Sequence, residues 1–374
     1  MGENRSGLPE LEAIPVRIDS ALTHSLASPG GLTWTEQIEP HCVHLSCRAH
    51  LESRTVYRMM KASTGIFCLL AVLLVTPAVA QSGPTIRLVS PSTAGGGSDT
   101  LARLLADQIS RKQGRTVVVE NRPGAGNIIG TEYVARSAPD GGTILITTPE
   151  FVINPHVKKV NYDPIAGFES ICYLVRSPQL LAVNSAMPYR TFAELLKAAQ
   201  QAPGQLTIAS AGPASSPHIA IETMKRVMNL AMNFIPYQGS TPAVNAALGG
   251  HITAVMASYP NVAELIRSNQ LRGLAVASAS RIASMPDIPT LAEVGLKDFE
   301  ADIWFIAAAP AHTPRDVASQ LASWFLDALR DRETIPKLEA QGLFPVGECG
   351  EAAAAFTKKQ FQDYGRMIKE AEIK

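Results

Sequence analysis

Residues 85–99 read Thr85-Ile-Arg-Leu-Val-Ser90-Pro91-Ser92-Thr93-Ala94-Gly95-Gly96-Gly97-Ser98-Asp99, and the amphipathic run Thr100 to Lys112 follows at once. A short apolar run, a turn of three glycines and then a 3.6-residue periodicity predict a strand, a tight loop and a helix, the first unit of an α/β fold. Consecutive glycines carry no side chains, so a ligand can approach the backbone N–H groups, and the helix start adds a partial positive charge. Two uses stay open: a cradle for a carboxylate, or a flexible turn with Ser98 or Asp99 as a simple N-cap. No Lys-Ser or Lys-Thr follows the glycines, which excludes a Walker-type phosphate loop.

Downstream, strand and helix patterns keep alternating. Strands are expected at 116–120, 143–148, 171–175, 180–184, 206–210, 234–237, 252–256 and 272–277. Helices are expected at 127–137, 191–201, 217–229, 241–248 and 260–268. Ala301 to Ala309 is an apolar extended run, with helices at Pro314 to Asp331 and near Glu351 to Ala371. The alternation predicts α/β architecture with parallel sheets covered on both faces, and the length suits two doubly wound lobes. A chain that leaves its first sheet near residue 180 and returns near 305 crosses between lobes twice. The expected division is 81–182 plus 304–374 for lobe 1 and 183–303 for lobe 2, with a ligand cleft between them.

Two further loops are chemically conspicuous. Gly124-Ala-Gly126-Asn-Ile-Ile-Gly130 has the spacing G-x-G-x-x-x-G after Asn121-Arg122-Pro123, so it departs from a dinucleotide fingerprint. Close packing of a helix start is the expected use. Ser210-Ala-Gly212-Pro-Ala-Ser215-Ser216-Pro217-His218 again joins a strand to a helix. Its hydroxyls and helix start suit an anion. The alternative is an exported hydrolase with Ser215 or Ser216 as nucleophile and His218 as base, although no G-x-S-x-G elbow is present.

The first eighty residues differ from the rest. Lys61, the apolar run Gly65 to Val75 and Pro77-Ala78-Val79-Ala80 form a signal-peptide pattern over 60–80, with cleavage expected after Ala80 and export across the membrane. The run is shorter than a membrane-spanning helix, which needs about 20 residues. Cys68 lies within that run, not at its end, which argues against lipid attachment. Residues 1–59 are expected to be a mis-assigned upstream extension, with Met59 or Met60 as initiator; His41, Cys42, His44, Cys47 and His50 could hold zinc by composition, but lack C-x2-C spacing. Of 33 Lys/Arg and 33 Asp/Glu, six and seven lie before residue 81, so the remainder carries a formal +1. No basic field invites nucleic acid. Cys172 and Cys349 also remain; export permits a disulfide between them, but sequence leaves the pairing open.

Taken together, PSTAGGGSDTLARLLADQIS, VVVENRPGAGNIIG, APDGGTILI, Asn154-Pro155, Tyr162-Asp163-Pro164, IPYQGSTPAV, LRGLAVAS and MPDIPTLAEVGL resemble the Bug family. These are extracytoplasmic solute receptors of tripartite tricarboxylate transporters, and the similarity runs from about residue 84 to 374. The resemblance implies a type II periplasmic binding protein fold that closes on a small organic acid, with no catalysis, no cofactor and no metal. It implies a monomer that serves membrane subunits of such a transporter. By motif, the ligand contacts it implies are Ser92, Thr93, Ala94, Gly95, Gly96 and Asp99, faced by Gly212, Ser215, Ser216 and His218. Tyr237, Gln238, Gly239 and Ser240 match a further loop, and Asn154 belongs to the site as well.

Two departures bear on the ligand. Pro149-Glu150-Phe151 stands where the family has small polar residues. Glu150, if it faces the cleft, repels a second ligand carboxylate and attracts a cationic group; otherwise it is an exposed loop charge. Met256-Ala257-Ser258 stands where an Asp often follows the strand, removing one polar contact.

Overall fold

The computed structural model describes residues 85–297 and 299–373; the expected signal peptide, its cleavage point and the His/Cys cluster lie outside them. The described chain begins with β1 (Ile86–Ser90), α1 (Gly97–Gln113), β2 (Val117–Asn121), α2 (Ile128–Ala135), β3 (Thr143–Thr147), α3 (Glu150–Val157), β4 (Phe168–Ser177) and β5 (Gln179–Asn184). It continues with α4 (Phe192–Gln201), β6 (Thr207–Ala211), α5 (Ser216–Val227), β7 (Asn233–Tyr237), α6 (Ser240–Leu248), β8 (Ala254–Ser258), α7 (Tyr259–Arg267) and β9 (Leu271–Val276). Last come β10 (Ile303–Pro310), α8 (Arg315–Leu329), α9 (Thr334–Ala340), β11 (Phe344–Cys349) and α10 (Glu351–Glu370).

The strands form two sheets, ordered β11-β4-β10-β3-β1-β2 and β7-β6-β8-β5-β9. The two lobes repeat one plan: β6, β7, β8 and β9 stand as β1, β2, β3 and β4 do. In each, the strand arriving from the other lobe inserts beside the third, antiparallel to both neighbours: β10 between β3 and β4, β5 between β8 and β9. The sheets are therefore mixed, whereas alternation alone predicts parallel ones. A strand that enters from the hinge must run opposite to strands whose carboxyl ends lie at the hinge. The sheet membership changes at Pro178 and again before Ile303, so β5 belongs entirely to lobe 2, earlier than the expected change after 182.

β10 shows why such a strand can be central. Its residues are buried from Trp304 to Pro310, the continuous apolar run expected of a strand covered on both faces. Phe305, Ala307 and Ala309 enter one core with α1 and α8, while Trp304, Ile306 and Ala308 enter the other with α3 and α10. Lobe 2 is likewise doubly covered, with α4 and α5 on one face and α6 and α7 on the other. Each sheet is thus fixed from both sides, which holds the loops at strand ends in register.

α1 forms because Leu101, Leu105 and Ile109 recur every four residues and all face the core. Gly114 ends it in a left-handed conformation, φ 62°, with its N–H on the Ser110 carbonyl. A disulfide joins Cys172 of β4 to Cys349 of β11, the sheet edge added by the C-terminal segment.

Candidate functional site

Strand direction alone decides which loops meet. β4 runs parallel to β1 and β3, so its carboxyl end, where Pro178 leads to lobe 2, marks the carboxyl end of the first sheet. β5 starts at that crossing and opposes β8, which parallels β6 and, through it, β7; their carboxyl ends therefore also abut the crossing. The glycine loop after β1 and the serine loop after β6 occupy equivalent places on opposite sides of the hinge. Ligands in open α/β sheets sit beyond such ends.

The loop after β1 is built around hydroxyls and one buried carboxylate. The hydroxyls of Ser90, Ser92 and Ser98 form a closed triangle, at 3.0 Å from Ser90 to Ser92, 2.9 Å from Ser90 to Ser98 and 2.7 Å from Ser92 to Ser98. Gly95, at φ 80°, donates its N–H to the Asp99 carboxylate at 2.8 Å, and Gly96 donates to the Thr93 carbonyl at 3.0 Å. The side chains of Arg103 and Asn121 also donate to Asp99. Burial works to raise the Asp99 pKa, but those donors and the Arg103 charge hold it below the usual carboxylate range. Asp99 therefore folds the loop; its carboxylate is already engaged by protein.

Thr93, Ala94, Gly95 and Gly97 are exposed at the loop surface, and Ser92 and Gly96 are half-buried. The N–H groups of Gly97, Ser98 and Asp99 open α1, where no preceding helical carbonyl can accept them. Gly97 lets the helix begin close to β10: a Cβ there would lie 3.0 Å from the Phe305 ring. The second glycine cluster has the packing use expected for it. A Cβ on Gly130 would meet the Arg122 carbonyl at 2.8 Å and the Pro91 Cα at 2.9 Å.

The loop after β6 is capped in a different way. Ser215 is the N-cap of α5, accepting from the His218 N–H and donating to the Ala211 and Gly212 carbonyls. His218 Nδ1 accepts the Ala214 N–H at 3.0 Å, and its ring stacks on Phe234 with centroids 4.1 Å apart. Burial pushes the His218 pKa below its ordinary value, opposed by Glu222. With Nδ1 occupied by an amide and Ser215 directed at carbonyls, no serine–histidine pair forms, and the hydrolase alternative lacks support. Gly212, at φ 41°, donates to the Tyr237 carbonyl, and Gly239, at φ 117°, precedes α6, which starts at Ser240; Tyr237, Gly239 and Ser240 are half-buried beside this loop.

Ser216 lies elsewhere than its neighbour. It is buried, pairs with the Tyr364 hydroxyl of α10 at 3.2 Å and accepts the Gln179 amide at 3.1 Å. It thus ties the lobe 2 loop to the first crossing and to lobe 1. Gln179 also donates to the Ala301 carbonyl on the second crossing, where Asp302 binds Arg176 at 2.9 Å and accepts from Ser278. Burial raises the Asp302 pKa against the pull of Ser278 and Arg176. Beyond β3, Thr148 donates to Glu150 at 2.6 Å and accepts from Asn127 at 3.1 Å. Asn154 is buried and donates to the Gly126 carbonyl at 2.7 Å, so it holds a loop. Sequence reasoning gave no role to Ser90, Asn121, Gln179 and Tyr364, and offered Ser98 only as an N-cap, a place that Gly96 takes. Their partners lie in other segments, and only the Ser90 and Ser98 flanks of the glycines offered a local signal.

Residues 101–373 match a family described as the tripartite tricarboxylate transporter family receptor, TctC. The chain belongs to that family. It is a periplasmic solute-binding receptor with the fold of the periplasmic binding proteins. BugT of Bordetella pertussis is 31% identical over 318 residues, covering 84% of this chain and 97% of its own. The periplasmic binding protein BugD is 31% identical with a TM-score of 0.67, over 78% of this chain and 98% of that one. A protein of R. palustris, solved with adipate, is 29% identical with a TM-score of 0.69, over 77% of this chain and 97% of its own.

Proposed function

We propose that this receptor captures a small carboxylate-bearing metabolite between its lobes, as a monomer in the periplasm after cleavage behind Ala80, and delivers it to membrane subunits of a tripartite tricarboxylate-type transporter. The observation that carries the reading is the pair of strand–loop–helix starts on opposite sides of the hinge. The first of them offers the N–H groups that open α1 beside exposed glycine backbone. Amide and hydroxyl donors to a charged acceptor contribute about 1.5–3 kcal/mol each, so several suffice without an arginine. The adipate found with the R. palustris relative supports an organic acid as ligand. Ser92, Thr93, Ala94, Gly95 and Gly96 take one end of it; Gly212, Ser215, Tyr237, Gly239 and Ser240 close from the other lobe. Asp99, Asn154 and Ser216 act through the loops they hold.

Contacts completed only when both lobes engage favour the closed state. A thermal-shift screen of mono-, di- and tricarboxylates tests this. A ligand at a hundred times its Kd adds about 2.7 kcal/mol, a rise of roughly 5 °C for a chain of this size. Melting curves indifferent to every acid would refute the reading.

A further inference from the structure

Glu150 opens α3 directly beyond the carboxyl end of β3, and β3 lies next to β1, whose end carries the glycine loop. Neighbouring strands are about 4.8 Å apart, so the carboxylate and the glycine amides rise from one rim. The Glu150 side chain is half-buried and oriented: one oxygen accepts the Thr148 hydroxyl, which is itself held by the Asn127 amide. The helix that Glu150 opens packs against α10, whose Tyr364 pairs with Ser216 of the opposite lobe. Glu150 therefore stands beside the seam between the lobes.

Of the other charges along this rim, Asp99, Arg122 and His218 are engaged by protein groups. Asp99 is neutralised by Arg103, and Arg122 pairs with Glu120 and lies over the Tyr133 ring. His218 accepts an amide and is pushed toward its neutral form by burial. Lys158 is exposed, with its ammonium over Gly126. Among the described residues no Lys, Arg or His nitrogen comes within ion-pair distance of Glu150, and Thr148 is its one hydrogen-bond donor.

We infer that Glu150 selects a ligand carrying a cationic nitrogen as well as its carboxylate, an amino acid or betaine-like zwitterion in preference to a dicarboxylate. The inference rests on the carboxylate-capture reading above. The ligand's carboxylate meets the amides that open α1, and its ammonium meets the free oxygen of Glu150. A second ligand carboxylate placed there faces like charge at partly desolvated distance, which disfavours it. An ammonium gains a charge-assisted hydrogen bond.

Matched pairs on one carbon skeleton test it: 4-aminobutanoate against succinate, and 6-aminohexanoate against adipate, by calorimetry and thermal shift on the purified receptor. The aminocarboxylate of a pair should bind at least about tenfold more tightly than its dicarboxylate, the worth of one charge-assisted bond. Glu150→Gln should erase that preference, and Glu150→Lys should reverse it, with circular dichroism confirming the fold of both. Equal or tighter binding of the dicarboxylate by the unaltered receptor overturns the inference alone. So does a preference that survives in both variants. Failure of every carboxylate to bind would instead refute the receptor's proposed ligand class, and this inference with it.

Discussion

Replacing Gly96 by valine separates the geometry of the glycine loop from its flexibility. Gly96 has φ −69°, a conformation any residue adopts, so a side chain here causes no backbone strain. The obstacle is steric: a Cβ would lie 2.7 Å from Ser92 Oγ and 3.1 Å from the Thr93 carbonyl. Ser92 must swing away and lose its contacts at 3.0 Å to Ser90 and 2.7 Å to Ser98. At about 0.5–1.5 kcal/mol each, the loss costs roughly 1–3 kcal/mol of stability, readable in urea unfolding. Binding should suffer more. Displacing the loop from a carboxylate forfeits at least two charge-assisted bonds, about 3–6 kcal/mol, or roughly a hundredfold or more in Kd.

Gly95→Ala is the matched comparison. Gly95 has φ 80° but nothing within 4 Å of its would-be Cβ, so alanine brings about 1–2 kcal/mol of left-handed strain and leaves Ser92 in place. The ligand-dependent rise in melting temperature should persist in Gly95→Ala and vanish in Gly96→Val. A Gly96→Val receptor that folds and binds its acid as tightly as the unaltered protein would show that the serine-backed loop is not the anion cradle.

Ser216→Ala should destabilise the protein by about 1–3 kcal/mol, because it removes the partner of one buried Gln179 N–H and of the Tyr364 hydroxyl; an unchanged urea midpoint would contradict the tie between lobes. The His218 pKa is depressed in the fold, so its contribution is present above the unfolded value of about 6.5 and lost as pH falls through the folded one. Urea midpoints should therefore drop between pH 7 and 5, and His218→Phe should flatten that drop; an equal slope in both proteins would exclude His218 as its source. The Cys172 disulfide spans 177 residues of sequence to Cys349, and removing it with dithiothreitol or as Cys349→Ser should cost about 2–5 kcal/mol. Thiol titration of the exported, unfolded protein should find neither cysteine reactive, and two free thiols would disprove the bond.

Local patterns placed most elements well. Leu101, Leu105 and Ile109 at helical spacing, the apolar run through Ala309, and the glycines after Ser90 each announce their structure within a few residues. β11 was not expected: Phe344 to Cys349 mixes proline, glycine and glutamate, and it pairs with β4 as an edge strand across a register shift. α3 was hidden by Pro149 and Pro155, one before its first turn and one inside it. Asp99 and Asn154 stand out in the sequence as polar groups near the loops at the strand ends, but a sequence does not say which way a carboxylate or amide turns. Here Arg103, Asn121 and Gly126 take them up.

Sequence by itself determined the two-lobe α/β plan, the loops that carry the glycines and serines, and the family resemblance, because periodicity and turn chemistry act over a few neighbouring residues. Tertiary structure alone decided that β5 and β10 insert antiparallel, that Ser216 faces Tyr364, and that among the described residues Glu150 stands without a cation while Asp99 does not. Apart from the Asp99–Arg103 pair, which lies within one helical turn, those facts depend on groups up to 163 residues apart in the chain, and only packing brings them within reach.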